Sequence, residues 1–200
     1  MTIAAPVAPR DAVEVDERRY TVADFAELPS ELPSGPVLYE LDNGRLLSLM
    51  GTGDEHGAVV SNIGAALKYE GEQKGFGKAR AGGLGIVLWR NPDRVVGADV
   101  AFIATRSLPI RRSREGYLET MPDLVVEVVS KNDTKPYVQR KVEDYLAAGV
   151  RVVWIADPPS RTVTVHRADA EPVVLGETDV LTLEGIIPGF QLSVEEAFRE

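Results

Sequence analysis

The sequence contains no cysteine, and its 200 residues include only two histidines, His56 and His166. The absence of cysteine excludes disulfide bonds, thiol catalysis and cysteine-ligated zinc or iron–sulfur sites. Two histidines are also too few for a histidine-rich metal centre. A metal ion bound by this chain would therefore be held by carboxylate oxygens, which favour hard cations such as Mg²⁺ and Mn²⁺.

Long apolar runs and common nucleotide motifs are also missing. No run approaches the length of about 20 residues that crosses a bilayer, and the opening stretch MTIAAPVAPRDAVEVDE has no basic leader followed by an apolar block. We therefore expect a cytoplasmic protein that does not contact membranes. The motifs GxGxxG, GxxxxGK[ST] and GxSxG are absent, which argues against a dinucleotide loop, a P-loop and a serine hydrolase.

Basic residues are fewer than acidic ones, 22 against 31, and the net charge is −9. This balance argues against tight, sequence-blind binding to a phosphate backbone, without excluding it. Part of the positive charge is concentrated in the segment RRSRE, residues 111–115. That segment is either a solvated loop or a local contact for an anionic partner.

The apolar content of 44% predicts one compact domain over residues 20–200. The residues before it, 1–19, are rich in alanine, proline and charge and are expected to form a flexible arm. Within the domain, helix and strand patterns follow one another along the chain. Asn43-Gly44 predicts a tight turn between two strands, and RTVTVHR (161–167) alternates like an edge strand.

Two strand-like segments each carry an unexpected carboxylate. Glu127 lies within PDLVVEVVS, among valines and a leucine that are typical of a strand covered on both faces. Asp99 lies within VVGADVAFI, whose other residues are small or apolar. A buried lone carboxylate costs several kcal/mol unless a cation, a metal or a proton compensates it. If the two strands are neighbours, Asp99 and Glu127 could bind one divalent cation together.

The helix that follows the second strand adds a basic group. Thr134 and Gly149 mark the ends of this helix, which is expected over about residues 136–148. Its apolar stripe consists of Val138, Val142, Tyr145 and Leu146, and Lys141 falls within the stripe. Three charged residues are expected outside it: Arg140, Glu143 and Asp144. Lys141 is thus either directed at the two carboxylates or extended along the surface to water.

Two carboxylates and a lysine around a divalent cation form an arrangement that hydrolyses phosphodiesters. The metal lowers the pKa of a bound water and neutralises the charge that grows on the phosphate. The lysine orients the water or stabilises the transition state. This chemistry requires neither cysteine nor histidine.

Several segments together resemble the Uma-type family of restriction-endonuclease-like proteins, in the PD-(D/E)XK nuclease superfamily. They are YELDNGRLLSLM with the following His56, ADVAFI, PDLVVEVVS-x-x-DT, KVEDYLAAGVRVVWIADP and RTVTVHR. The resemblance covers about residues 21–198. It implies an α/β (α+β) fold in which helices flank a mixed central β-sheet, with an additional N-terminal β-hairpin.

The same resemblance implies roles for individual residues. Asp99 and Glu127 would be ligands of Mg²⁺ or Mn²⁺, Glu40 an auxiliary acid, and His56 a residue that lines the site. From the residues alone, a core or capping histidine is the more common outcome for His56. Two positions depart from the pattern. Val129 stands where the superfamily has its lysine, so Lys141 would take over that role, and Gly97-Ala98 stand before Asp99 where the family usually has a proline.

The sequence therefore supports an enzyme first: a divalent-metal-dependent endonuclease that hydrolyses phosphodiester bonds, with DNA as the expected substrate. The alternative is a catalytically inactive module of the same fold that binds nucleic acid or mediates dimer contacts, and the net negative charge favours it. A third possibility is an enzyme that acts on another phosphoester. A homodimer is expected by analogy with nucleases that cut both strands. Convergence of Asp99, Glu127 and Lys141 in space would separate the first two hypotheses.

Overall fold

The computed structural model describes residues 13–14, 18–29, 31–32, 35–36, 38–49 and 53–200. The expected flexible arm falls mostly outside these ranges, although Val13–Glu14 within it form a short strand. The strands are β1 (Val13–Glu14), β2 (Glu31–Leu32), β3 (Gly35–Pro36), β4 (Leu38–Asp42), β5 (Arg45–Leu49), β6 (Gly77–Trp89), β7 (Arg94–Ala104), β8 (Leu124–Val128), β9 (Val152–Asp157), β10 (Thr162–Arg167), β11 (Ala170–Leu175), β12 (Val180–Thr182) and β13 (Gln191–Ser193). The helices are α1 (Val22–Ala26), α2 (Asp54–Ala66), α3 (Lys135–Ala147) and α4 (Val194–Ala197), and a π-helical turn, Leu67–Glu72, extends α2.

Among the described residues, nine strands form one large sheet in the order β1-β5-β4-β7-β8-β9-β10-β11, with β6 paired to β7 beside this path. Strands β8 and β9 are parallel, whereas the other pairs in this sheet are antiparallel. The predicted mixed central sheet is therefore confirmed. The prediction that residues 161–167 form an edge strand is wrong, because β11 covers the outer side of β10.

Local sequence signals explain the ends of several elements. Asn43 and Gly44 adopt positive φ angles of 51° and 79°, which fits the two-residue turn of the predicted β4–β5 hairpin. Thr134 caps α3 by accepting a hydrogen bond from the Tyr137 N–H. Gly149, with a φ of 101°, follows the end of that helix.

Helices cover both faces of the sheet, as the sequence resemblance implied. On one face, α2 and α4 pack over alternate residues of the central strands, and this cluster includes Val59, Ile63, Val100, Val126, Trp154 and Val194. On the other face, α3 packs over a cluster that includes Val96, Ala98, Val125, Val142, Tyr145 and Val153. A third cluster surrounds α1 and includes Val22, Phe25, Leu41, Leu46, Val87 and Val95. No helix in the described part of the chain is long and apolar enough to cross a membrane.

Strand β7 lies where the sheet divides. One edge of β7 pairs with β6 along nearly its whole length. The other edge is shared, because β4 pairs with β7 at Val95 and β8 pairs with it from Val100 to Phe102. Within the described residues, 96–99 thus have no strand partner on this edge, and the sheet opens between β4 and β8.

A β-bulge lies opposite the opening. Ala81 pairs with Val100 and Leu84 pairs with Ala98, so two glycines of β6, Gly82 and Gly83, lie opposite one residue of β7, Asp99. Both glycines have positive φ angles, 97° and 67°, which residues with a Cβ adopt at a steric cost. Bulges bend a strand and redirect its side chains, and here the bend occurs at Asp99.

Candidate active site

A cavity of about 510 Å³ lies at the opening between β4 and β8. All five residues that the sequence proposed for a site line this cavity: Glu40, His56, Asp99, Glu127 and Lys141. They come from β4, α2, β7, β8 and α3, so the fold brings together residues that are up to 101 positions apart in the chain. The position of Asp99 and Glu127 follows from the register, because Val100 pairs with Val126 and their neighbours are the two acids.

Lys141 is directed into the cavity and not to solvent. Its side chain is 6% exposed. The Nζ group donates hydrogen bonds to Glu127 Oε2 at 2.7 Å, to Glu40 Oε1 at 3.1 Å and to the Gly97 carbonyl at 3.1 Å. All three of its donors are therefore used by groups of the site.

Glu127 is held by two partners and has a strongly altered pKa. Its Oε2 accepts from Lys141 and its Oε1 accepts from the Tyr145 hydroxyl. Burial, opposed by the attraction of Lys141 and assisted by the repulsion of Asp99, raises the pKa of Glu127 to about 8. At neutral pH the Glu127 carboxyl group is therefore mostly protonated when no cation is present.

Glu40 is fully buried but ionised. Burial raises its pKa, but Lys141 and Arg94, with hydrogen bonds from Gly97 N and Tyr137, more than offset this effect and hold the pKa of Glu40 below its usual value. The Gly97 N–H lies 3.1 Å from Oε1, and the Tyr137 hydroxyl lies 2.9 Å from Oε2. One ammonium group faces two carboxyl groups here, so Glu40 keeps the negative charge and Glu127 takes the proton.

Arg94 and Asp144 complete this network, and sequence reasoning missed both. Arg94 is 2% exposed. It donates through Nε to Asp144 Oδ2 at 2.9 Å and through Nη1 to the Leu41 carbonyl at 3.0 Å, with Glu40 Oε2 at 3.4 Å. The prediction that Asp144 lies outside the buried face of α3 is wrong, since Asp144 is buried against Arg94. The sequence feature that could have indicated its position is its spacing of three residues from Lys141, since residues three apart lie on the same side of a helix.

Asp99 bridges β7 and β8 at the point where their ladder ends. Its Oδ2 accepts a hydrogen bond from the Val128 N–H at 2.8 Å and lies 3.2 Å from His56 Nε2. His56 lies in the first turn of α2 and is buried, facing this carboxylate. Both contacts use Oδ2, so Oδ1 has no hydrogen-bond partner among the described residues and can accept from a ligand.

The donor atoms fit a hard divalent cation better than a soft one. Within the described ranges, no three His, Cys, Asp or Glu side chains are grouped as a ready-made metal site. Mg²⁺ and Mn²⁺ do not require three such side chains, because Mg²⁺ is usually bound through one or two carboxylates and keeps several waters. Asp99 Oδ1 and the Glu127 carboxyl group supply such oxygens. Since only the ionised carboxyl group binds a cation, Glu127 would release its proton on binding.

A mixed sheet is flanked by helices, and two acids and a buried lysine lie at an opening between its strands, as the resemblance to a nuclease family implied. The chain belongs to the Uma2 family, whose model is described as "Putative restriction endonuclease" and matches residues 22–195. The resemblance drawn from the sequence is thereby confirmed.

A solved structure supports the fold independently. The chain is similar to the crystal structure of a "putative nuclease belonging to DUF820" from Anabaena variabilis ATCC 29413, with a TM-score of 0.72. The two are 20% identical, and the match covers 90% of this chain and 97% of the other. At this identity the likeness shows the fold alone. No curated protein matches the sequence.

Proposed function

We propose that this protein is a divalent-metal-dependent endonuclease that hydrolyses phosphodiester bonds in DNA and uses Mg²⁺ or Mn²⁺. The observation that carries the proposal is the convergence of Asp99, Glu127 and Lys141 in one cavity, with Lys141 Nζ 2.7 Å from Glu127 Oε2. A module that only binds does not need these three side chains in one cavity, whereas metal-dependent hydrolysis uses all of them. The family and the fold independently support a nuclease function.

In this proposal Asp99 and Glu127 hold the cation. When bound, the cation supplies neutralisation of phosphate charge and a water of lowered pKa. The protein contributes fixed positions. Asp99 is held by the Val128 N–H and by His56, which fixes the orientation of its carboxylate. His56 acts in this scheme by orienting Asp99.

Lys141 acts as a hydrogen-bond donor in this proposal and not as a general base. Burial lowers its pKa, but the attraction of Glu127 and Glu40 outweighs burial and holds the pKa of Lys141 well above its usual value. A lysine that stays protonated can donate to an attacking water or to a phosphate oxygen, which stabilises developing negative charge. Val129, which stands at the usual lysine position, instead packs against the apolar cluster beneath α3.

The second candidate is a catalytically inactive nuclease-fold module that binds nucleic acid or mediates dimer contacts. The net charge of −9 favours it, as does the full use of the Lys141 donors by protein groups.

In the enzyme proposal the protein acts in the cytoplasm, and two copies form a homodimer whose two sites face the two strands of DNA.

The test is nicking of supercoiled plasmid in Mg²⁺ or Mn²⁺ by the parent protein, by Glu127→Gln and by Glu143→Gln. Glu143 is an exposed carboxylate on the outer side of α3, bonded to Gln139, so its variant controls for loss of an acid. We expect the parent and Glu143→Gln to nick the plasmid and Glu127→Gln to fail. Equal nicking by Glu127→Gln would overturn the role of Glu127, and no nicking by any of the three would support the inactive module.

A further inference from the structure

The cavity has a second, apolar end. It continues past the carboxylates to the face of the sheet that carries α1, where its lining residues include Phe25, Leu28, Leu38, Tyr39 and Tyr117. Phe25, Leu28, Tyr39 and Tyr117 belong to the cluster around α1. No described lining residue at this end is charged. The two ends share one space because the sheet is open between β4 and β8.

Three aromatic rings form the wall of this end. The Phe25 ring lies 5.2 Å from the Tyr117 ring and 6.4 Å from the Tyr39 ring, between centroids. Tyr117 is fixed against β6 at Gly85, where an added Cβ would come within 2.6 Å of the Tyr117 ring. Among the described residues, neither the Tyr39 nor the Tyr117 hydroxyl has a hydrogen-bond partner, so both remain available to a bound molecule.

A nucleotide has the chemistry that matches both ends. Its phosphate suits the polar end, where the proposed cation would lie, and its base is a planar ring that stacks on aromatic side chains. A volume of about 510 Å³ is that of a small-molecule site. It cannot hold a base pair with its stacked neighbours, so only an unpaired or extruded nucleotide reaches the aromatic wall.

We propose that the aromatic end of the cavity binds the base of one unpaired nucleotide, so that the substrate strand is single-stranded or locally opened at the scissile phosphate. This inference rests on the proposed nuclease function, because it assigns the phosphate to the polar end. It makes Tyr117 and Tyr39 substrate-binding residues. It also explains why the acids are recessed, with Asp99 only 19% and Glu127 only 12% exposed.

The test is binding of a short fluorescein-labelled oligonucleotide, single-stranded or duplex, measured by anisotropy in Ca²⁺, which also binds through oxygen. Loss of one stacking contact predicts about tenfold weaker single-strand binding by Tyr117→Leu. Tyr117→Phe, which keeps the stacking ring and removes only the hydroxyl, is expected to retain most of the single-strand affinity that Tyr117→Leu loses. Tyr69→Leu is the control, because Tyr69 is 62% exposed and lies outside the cavity. Circular dichroism verifies that each variant is folded.

An abasic scan locates the contact. Removing one base at a single position of the oligonucleotide is expected to weaken binding to the parent about tenfold and to weaken binding to Tyr117→Leu no further. The duplex is expected to bind more weakly than the single strand. Parental affinity of folded Tyr117→Leu, or an abasic scan without a sensitive position, would overturn the inference.

The two proposals fail separately. A protein that nicks plasmid but shows a flat abasic scan keeps its nuclease function and loses the aromatic base site. A protein that shows the sensitive position but cleaves nothing keeps the base site and loses the nuclease function.

Discussion

The protonated state of Glu127 makes the stability of the metal-free protein depend on pH in an unusual direction. A carboxyl group whose pKa is higher in the folded than in the unfolded protein stabilises the fold while it is protonated. Its contribution is complete below the unfolded pKa and is lost as the pH rises through the folded pKa. Carboxylates whose pKa is lowered by ion pairs or hydrogen bonds act in the opposite direction.

The size of the effect follows from the two pKa values. The pKa of Glu127 rises from the ordinary 4.5 to about 8, and each pH unit corresponds to about 1.4 kcal/mol. The metal-free parent is therefore expected to lose about 5 kcal/mol of unfolding free energy from this group between pH 4.5 and pH 8. Glu127→Gln keeps the shape of the side chain but cannot ionise, so the unfolding free energy of this variant does not fall with pH on account of residue 127.

Urea unfolding from pH 5 to pH 9 in EDTA measures the difference between the two proteins. Because both contain the same histidines and other acids, subtracting the two curves isolates Glu127. Glu127→Gln is expected to become progressively more stable than the parent as the pH rises, whereas Glu143→Gln follows the parent. Parallel curves for the parent and Glu127→Gln would refute the conclusion that Glu127 is protonated in the folded protein.

Two further predictions concern the neighbours of Glu127. Arg94→Met leaves Glu40 and Asp144 without their shared buried cation and is expected to lower the unfolding free energy by about 3–5 kcal/mol in urea unfolding. Arg94→Lys is expected to keep only part of this stability, because an ammonium group cannot reproduce the hydrogen bonds of a guanidinium group. An Arg94→Met variant as stable as the parent would contradict the network. Lys141→Ala is expected to lower kcat for plasmid nicking much more than it lowers affinity for Mn²⁺, measured by calorimetry. Equal kcat for Lys141→Ala and the parent would show that another group stabilises the transition state.

Three members of the candidate site could be found because each breaks a local pattern. Glu127 and Asp99 interrupt apolar strands, and Lys141 lies within the apolar stripe of a helix. Such anomalies are visible in a single sequence, since the period of a strand or helix predicts whether each position is apolar or polar. The placement of His56 and Glu40 came from the family resemblance and not from any local pattern.

The remaining features depend on contacts that no local pattern encodes. Arg94 follows a turn and looks like an ordinary surface arginine, yet it is buried because β4 and α3 close over it. The opening between β4 and β8 arises because two strands share one edge of β7, which is a matter of long-range pairing. Strand β11 was missed since Pro172 lowers its strand signal, although proline is tolerated at the edge of a sheet.

The central claim is that Asp99 and Glu127 bind one divalent cation together. Anomalous diffraction from crystals soaked in Mn²⁺ tests it most directly. The claim predicts an anomalous peak within coordination distance of both carboxyl groups in the parent, and no such peak in Glu127→Gln. A parent protein without a peak between these two residues, in crystals that bind Mn²⁺ elsewhere, would contradict it.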